Sequence, residues 1–169
     1  MLSSKKSKNI ISEEFALYID VPYRHTDQYE ISNRFPKEIP CSYDDYYGNL
    51  NKFFKNFEKI SKLKVCISSH PRANYKKNPY ETYKLYENKT FELSMDSKCK
   101  VILLHSSLAI NYPVLLHKPV IFLTQSKFTY SNKKKIINLS KFFEKKAIEI
   151  DQDNFDEMIY KNQLKINTN

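Results

Sequence analysis

Val101-Ile102-Leu103-Leu104-His105-Ser106-Ser107-Leu108-Ala109-Ile110 opens as an unbroken apolar run and turns polar at its end. Four aliphatic residues in a row, with no polar alternation, fit a strand covered on both faces, the kind found inside parallel sheets. The serine pair that follows stands where a strand hands over to a helix. A second segment has the same form: Lys64-Val65-Cys66-Ile67-Ser68-Ser69-His70-Pro71-Arg72. In open parallel α/β sheets, ligands bind where strands end and helices begin. The two strand ends carry His, Arg and paired Ser hydroxyls, and read as two walls of one anion or nucleotide site.

Outward from these segments, strands and helices alternate. Phe15 to Val21 reads as a first strand, ended by Pro22. Residues 22–43, marked by Pro22, Pro36, Pro40 and Cys41, show no period and read as a long loop, a length often tied to function. Ser42 or Asp44 can cap a helix from about Tyr46 to Ser61, in which Leu50, Phe53, Phe54, Phe57 and Ile60 recur at helical spacing. Leu63 to Ser69 is the second strand and residues 71–88 a Tyr- and Lys-rich loop. Lys89 to Met95 is a short helix with Phe91 and Met95 on one face, and Lys100 to His105 the third strand.

Ser106 or Ser107 should then cap a helix through Leu116, with Pro113 kinking it or ending its first segment. Val120 to Thr124 is the fourth strand, followed by a polar loop over residues 125–132. A helix capped by Ser131 or Asn132 runs through Glu144, Ala147 to Asp151 makes a short fifth strand, and Asn154 to Leu164 a last amphipathic helix. The alternation predicts an α/β fold: a single Rossmann-like domain of about five parallel strands with helices on both faces. Its span is residues 14–169, after a flexible N-terminus of residues 1–13.

Composition narrows the chemistry. The 169 residues suffice for one domain with a core. Hydrophobic residues make up 41%, with 13 Tyr and 11 Phe supplying much of the apolar surface, so the chain is globular and not disordered. Gly48 is the single glycine, which excludes a Gly-rich phosphate loop; phosphate binding must use side chains and a helix start. The net charge of +9 fits anionic partners or a Lys-rich coding bias. The Lys are scattered and no nucleic-acid-binding motif is present, which argues against DNA or RNA. Arg24, Arg34 and Arg72 are the only arginines, so the one beside His70 carries more information than any Lys. Cys41, Cys66 and Cys99 are odd in number and lack metal-ligand spacing; they read as reduced thiols of a cytoplasmic protein. No apolar run approaches the ~20 residues of a membrane span.

Several residues could carry chemistry, each beside a plainer role. His70 could donate to a phosphate, and Arg72 could pair with it as a fork, while Pro71 fixes the turn that aims them; the plain alternative is a solvated turn. Ser106 and Ser107 could seat a phosphate together with free amides of a helix start, or cap that helix and no more. Thr90 could contact a ligand or cap the short helix. His105 reads as a satisfied strand-end histidine, His117 as a surface one, and the aromatics of residues 46–57 as core. Asp20 ends the first strand, with Arg24, His25 and Asp27 just beyond; it could act as a base or contact a sugar hydroxyl, with loop capping its commoner role.

The stretch from His70-Pro71 through Ser106-Ser107 to Lys118-Pro119-Val120-Ile121-Phe122 resembles the C-terminal, nucleotide-sugar-binding half of GT-B glycosyltransferases. It looks most like bacterial surface-polysaccharide enzymes: the sialyltransferases, polysialyltransferases and glycerol-phosphate polymerases, which share a His-Pro motif and a later Ser-Ser or Ser-Thr motif. The resemblance covers about residues 60–150 and implies that His70 and Pro71, then Ser106 and Ser107, hold the nucleotide and its phosphates without a metal. It implies a CMP- or UDP-linked sugar donor, a glycan acceptor, and an N-terminal domain or partner subunit, since a complete enzyme has two such domains. The Asp/Glu-Asp/Glu-Gly motif of the sialyltransferases is absent, so no catalytic base is assigned; within this chain Asp20 is the local candidate. The alternative is a non-catalytic basic module that holds an anionic glycan, a membrane surface, a partner subunit or a second copy of itself.

Overall fold

The computed structural model describes residues 11–21, 41–71, 73 and 75–165. Phe-Ala-Leu-Tyr-Ile, strand β1 (Phe15–Ile19), is buried along its whole length, as a strand covered on both faces must be. Beside it lie β2 (Lys64–Ser69) and β4 (Cys99–Leu104), both parallel to it. Tyr18 faces Ile67 on one side and Leu103 on the other. Strand β5 (Val120–Thr124) pairs with β4, β6 (Ile148–Glu149) with β5, and β3 (Leu85–Glu87) with the outer edge of β2. The sheet has six parallel strands in the order β3-β2-β1-β4-β5-β6, a Rossmann-like α/β arrangement.

Six strands stand where five are expected. The addition, β3, lies inside the stretch read as loop 71–88. It is three residues long, half-buried, and ended by Asn88 at a φ of 52°, so it presents neither an apolar run nor an alternation. At the start of the described chain Ile11 packs against the core and the Ser12 carbonyl accepts the Lys98 ammonium.

Helix α1 (Tyr43–Ser61) is capped by Ser42, whose Oγ accepts the Asp45 N–H at 3.0 Å; Asp44 falls in its first turn, where a carboxylate meets the positive end of the dipole. Its buried face (Tyr46, Tyr47, Leu50, Phe53, Phe54 and Phe57) lays an aromatic layer on β1: Tyr18 and Phe54 ring centres are 5.1 Å apart. The aromatics of residues 46–57 are therefore core. Helix α5 (Glu157–Gln163) packs on α1 through Tyr160 and Phe57, 5.6 Å between centres; it starts three residues later than expected, on an Asp156 cap. Helices α2 (Thr90–Met95) and α3 (Asn111–Leu115) meet through Phe91 and Tyr112, also at 5.6 Å. Helix α4 (Tyr130–Phe142) begins at Thr129, ahead of Ser131 and Asn132, and Asn132 Nδ2 instead donates back to Thr129 Oγ1. Because β1 to β2 and β3 to β4 run across the sheet in opposite directions, right-handed crossovers put α1 and α2 on opposite faces. Among the described residues no helix is long and apolar enough to cross a membrane.

Candidate functional site

The strand order reverses between β1 and β4: from β1 the chain builds outward to β3, then returns to β4 and builds the other way. Neighbouring connections leave in opposite directions there and open a crevice at the carboxyl ends of the strands. A cavity of about 320 Å³ lies at that place, lined by Asp20, Ser69, His70 and Pro71, by Thr90, and by Ser107 and Asn111. Its size falls at the lower end of ligand pockets, roughly 300–1,000 Å³. A larger cavity of about 710 Å³ lies beside β6 and α5, away from the reversal.

Each wall has a local cause. Strand β2 ends at Ser69, and the His70 carbonyl accepts the Ala73 N–H at 2.8 Å, closing a turn with Pro71 inside it. On the opposite wall, the chain after β4 does not enter the long helix expected from Ser107 through Leu116. It makes a three-residue 3₁₀ turn (Leu108–Ile110), then the short α3. Starting α3 afresh at Asn111 puts Pro113 in a first turn, where its missing N–H has no partner to lose. Ser107 caps the 3₁₀ turn, its Oγ accepting the Ala109 N–H at 3.2 Å. One of the amides expected to meet a phosphate is thus already used.

Thr90 is the first residue of α2 and does not cap it; Lys89 holds the cap position without a side-chain bond. The Thr90 hydroxyl instead lies 2.6 Å from Ser68 Oγ, tying α2 to the end of β2.

Asp20 follows β1 directly and is 1% exposed. Its Oδ1 accepts the Tyr80 hydroxyl at 2.6 Å; its Oδ2 accepts the Tyr75 hydroxyl and, at 3.3 Å, the backbone N–H of His70. Burial raises its pKa above the usual carboxylate value, opposed by the Tyr75, Tyr80 and His70 hydrogen bonds and by the His70 charge. A carboxyl with both oxygens occupied works as a tie: it holds the end of β1 to the turn and loop after β2.

His105 is fully buried behind the cavity. Its Nδ1 lies 2.6 Å from the Leu123 carbonyl, so Nδ1 carries the proton and the ring links β4 to β5. Burial drives its pKa down to about 4, which keeps the ring neutral. It is a core histidine, held to β5 through Nδ1. His117 is exposed, with a φ of 49° in the turn before β5. Cys66 and Cys99 are buried, and burial pushes both thiols up, to about 12 and about 11.

Of the residues singled out in the sequence, His70, Pro71, Thr90, Ser107 and Asp20 line one cavity. Ser106 is not among its lining residues, and Arg72 lies outside the described residues, as do Arg24, His25 and Asp27. Asn111 and Tyr112 line the cavity and were not singled out; their place depends on the 3₁₀ turn, whose form Pro113 favours over a continuous helix but does not by itself specify. Tyr75 and Tyr80 also went unread, because their bonds to Asp20 span 55 and 60 residues. Among the described residues no three His, Cys, Asp or Glu side chains gather to hold a metal. The chain matches no family model, no curated protein and no solved structure.

Proposed function

We propose that the cavity at the β1–β4 reversal binds the nucleotide and phosphate of a sugar donor, CMP- or UDP-linked, and that the chain serves as the donor-binding half of a GT-B glycosyltransferase for a surface polysaccharide. The observation that carries this reading is the convergence of His70-Pro71 after β2 and Ser107 after β4 on one cavity, in the order and strand context of the two family motifs. The supporting chemistry is side-chain donation: the His70 ring, the Ser107 and Thr90 hydroxyls and the Asn111 amide can all donate to phosphate oxygens. As the sugar–phosphate bond breaks, negative charge gathers on the leaving phosphate, and donors already fixed around it favour that state over the ground state. Asp20, both oxygens occupied, is not placed to deprotonate an acceptor, so the base belongs to a partner domain or subunit.

Thermal unfolding in the presence of CMP, UDP and a panel of other nucleotides tests this directly. The reading expects CMP or UDP to raise the melting temperature and His70→Ala to remove the rise while leaving the ligand-free protein folded. No shift with any nucleotide would defeat it.

A further inference from the structure

The amino end of the sheet, opposite the nucleotide cavity, carries a surface of a different kind. Leu115 at the end of α3 is 76% exposed and Phe142 at the end of α4 is 82% exposed, with Val114 half-exposed beside them. Val114 and Phe142 share the rim of a second cavity of about 320 Å³, whose walls include Pro113, Pro119 and Phe143. Isolated apolar residues on a surface are ordinary, but a cluster that rims an apolar hollow marks an interaction site.

The charge around the cluster selects the partner. Lys141 precedes Phe142, Lys146 follows it by four residues, and Lys165 lines the hollow; all three are exposed and none forms an ion pair among the described residues. Lys118 and Lys145 are spent on carbonyls: Lys118 on those of Asp96 and Cys99, Lys145 on those of Gln163 and Lys165. Both thereby brace the hollow. Glu144 is the single carboxylate residue on its lining. A protein partner would need to bury the cations with matched acids, whereas an anionic lipid surface accepts protruding apolar side chains and leaves Lys heads at phosphate level, still hydrated.

We propose that this end of the domain seats on an anionic membrane surface, with Leu115 and Phe142 entering the boundary between headgroups and acyl chains and Lys141, Lys146 and Lys165 meeting lipid phosphates. The nucleotide cavity, at the carboxyl ends of the strands, then faces away from the lipid. The proposal does not depend on what that cavity binds.

The chain contains no Trp, so Phe142→Trp introduces a single indole at the proposed contact. Vesicles of phosphatidylcholine mixed with phosphatidylglycerol should shift its emission to the blue, vesicles of phosphatidylcholine alone should not, and Tyr43→Trp at the far end of the domain should stay unshifted with both. In co-sedimentation with the mixed vesicles, Leu115→Ser combined with Phe142→Ser should lower partitioning about tenfold. Lys141→Glu combined with Lys146→Glu should lower it by at least about tenfold, and Lys52→Glu combined with Lys55→Glu, the same charge change on α1, by less than about threefold. The proposal falls if the native chain ignores anionic vesicles, if the α1 pair matters as much as the α4 pair, or if the indole stays in water on bound vesicles. It falls equally if Phe142→Ser dissolves a concentration-dependent dimer and leaves lipid binding intact.

Discussion

The backbone N–H of His70 donates to Asp20 Oδ2 at 3.3 Å, so the residue that ends β1 holds the turn that follows β2. The same carboxyl takes the hydroxyls of Tyr75 and Tyr80, tying the loop after β2 to Asp20, which lines the cavity at the strand-order reversal. Three donors with one acceptor group between them make the site intolerant of its loss. Asp20→Ala removes the acceptor shared by the buried Tyr80 hydroxyl, the half-buried Tyr75 hydroxyl and the His70 N–H, and should cost about 2–4 kcal/mol in urea unfolding. Tyr80→Phe, which removes one donor and leaves the other two, should cost about 1 kcal/mol. A cost for Asp20→Ala no larger than that for Tyr80→Phe would show that the tie does not hold the end of β1 to the loop after β2.

The same burial gives Asp20 a signature in pH. Its folded pKa stands above the unfolded value of 3.8, so the folded state favours the protonated form. The stability it contributes is full below the unfolded pKa and declines as pH rises through the folded one. His105 acts in the opposite direction. Its folded pKa near 4 lies below the unfolded 6.5, so its contribution is full above pH 6.5 and is lost as pH falls toward 4. The size of that loss is about 3 kcal/mol. The two groups act in opposite directions between pH 7 and pH 4, so the His105 part is read as a difference: in urea unfolding His105→Gln should lose less stability on acidification than the native chain. An unchanged acid limb in His105→Gln would place the titration elsewhere.

Much of the architecture can be read from the chain because it is parallel. Strands β1, β2, β4 and β5 are covered on both faces, and burial on both faces writes itself as runs such as Val101-Ile102-Leu103-Leu104. Edge strand β3 has a covered side too small to leave a pattern. The wall at Ser107 is half legible: a strand-to-helix junction is plain, but the choice of a 3₁₀ turn over a long helix is made by Pro113 six residues on. His70, Thr90 and Ser107 can be picked out because each stands at the border of an element. The Tyr75, Tyr80 and Asp20 cluster cannot, since nothing local distinguishes two tyrosines in a Tyr-rich loop from their neighbours.

The glycine is in the wrong place for stability, and the reversals that favour glycine lack one. Gly48 sits inside α1 and a Cβ there would meet nothing within 4 Å. Gly48→Ala should stabilise the fold by about 0.5–1 kcal/mol, since Gly is the poorer helix former by that amount. Lys62 closes the same helix at a φ of 62°, in the left-handed region. Lys62→Gly should stabilise by about 1 kcal/mol by relieving that conformation. The two sites are far apart along the helix, so the double variant should be additive to within about 0.5 kcal/mol. Chemical denaturation of the three variants reads all of this, and a destabilised Gly48→Ala would refute it.

The two serines after β4 separate the nucleotide reading from a merely structural one. Ser107 lines the cavity and its Oγ already accepts the Ala109 N–H, which leaves the hydroxyl proton to give to a ligand oxygen. Ser106, next to it, lines no part of the cavity. Ser107→Ala loses a cap, so the ligand-free melting temperature should drop by the equivalent of about 1 kcal/mol. If the cap were its whole role, the added stability from saturating CMP or UDP would be unchanged. If the hydroxyl also donates to a phosphate, the variant loses a charge-assisted bond of about 1.5–3 kcal/mol, and the nucleotide's Kd rises at least about tenfold. Ser106→Ala should leave that Kd within about twofold of the native value. Calorimetric titration of both variants with the nucleotide that shifts the native protein decides the matter; equal Kd values for the two serine variants would remove Ser107 from the binding site.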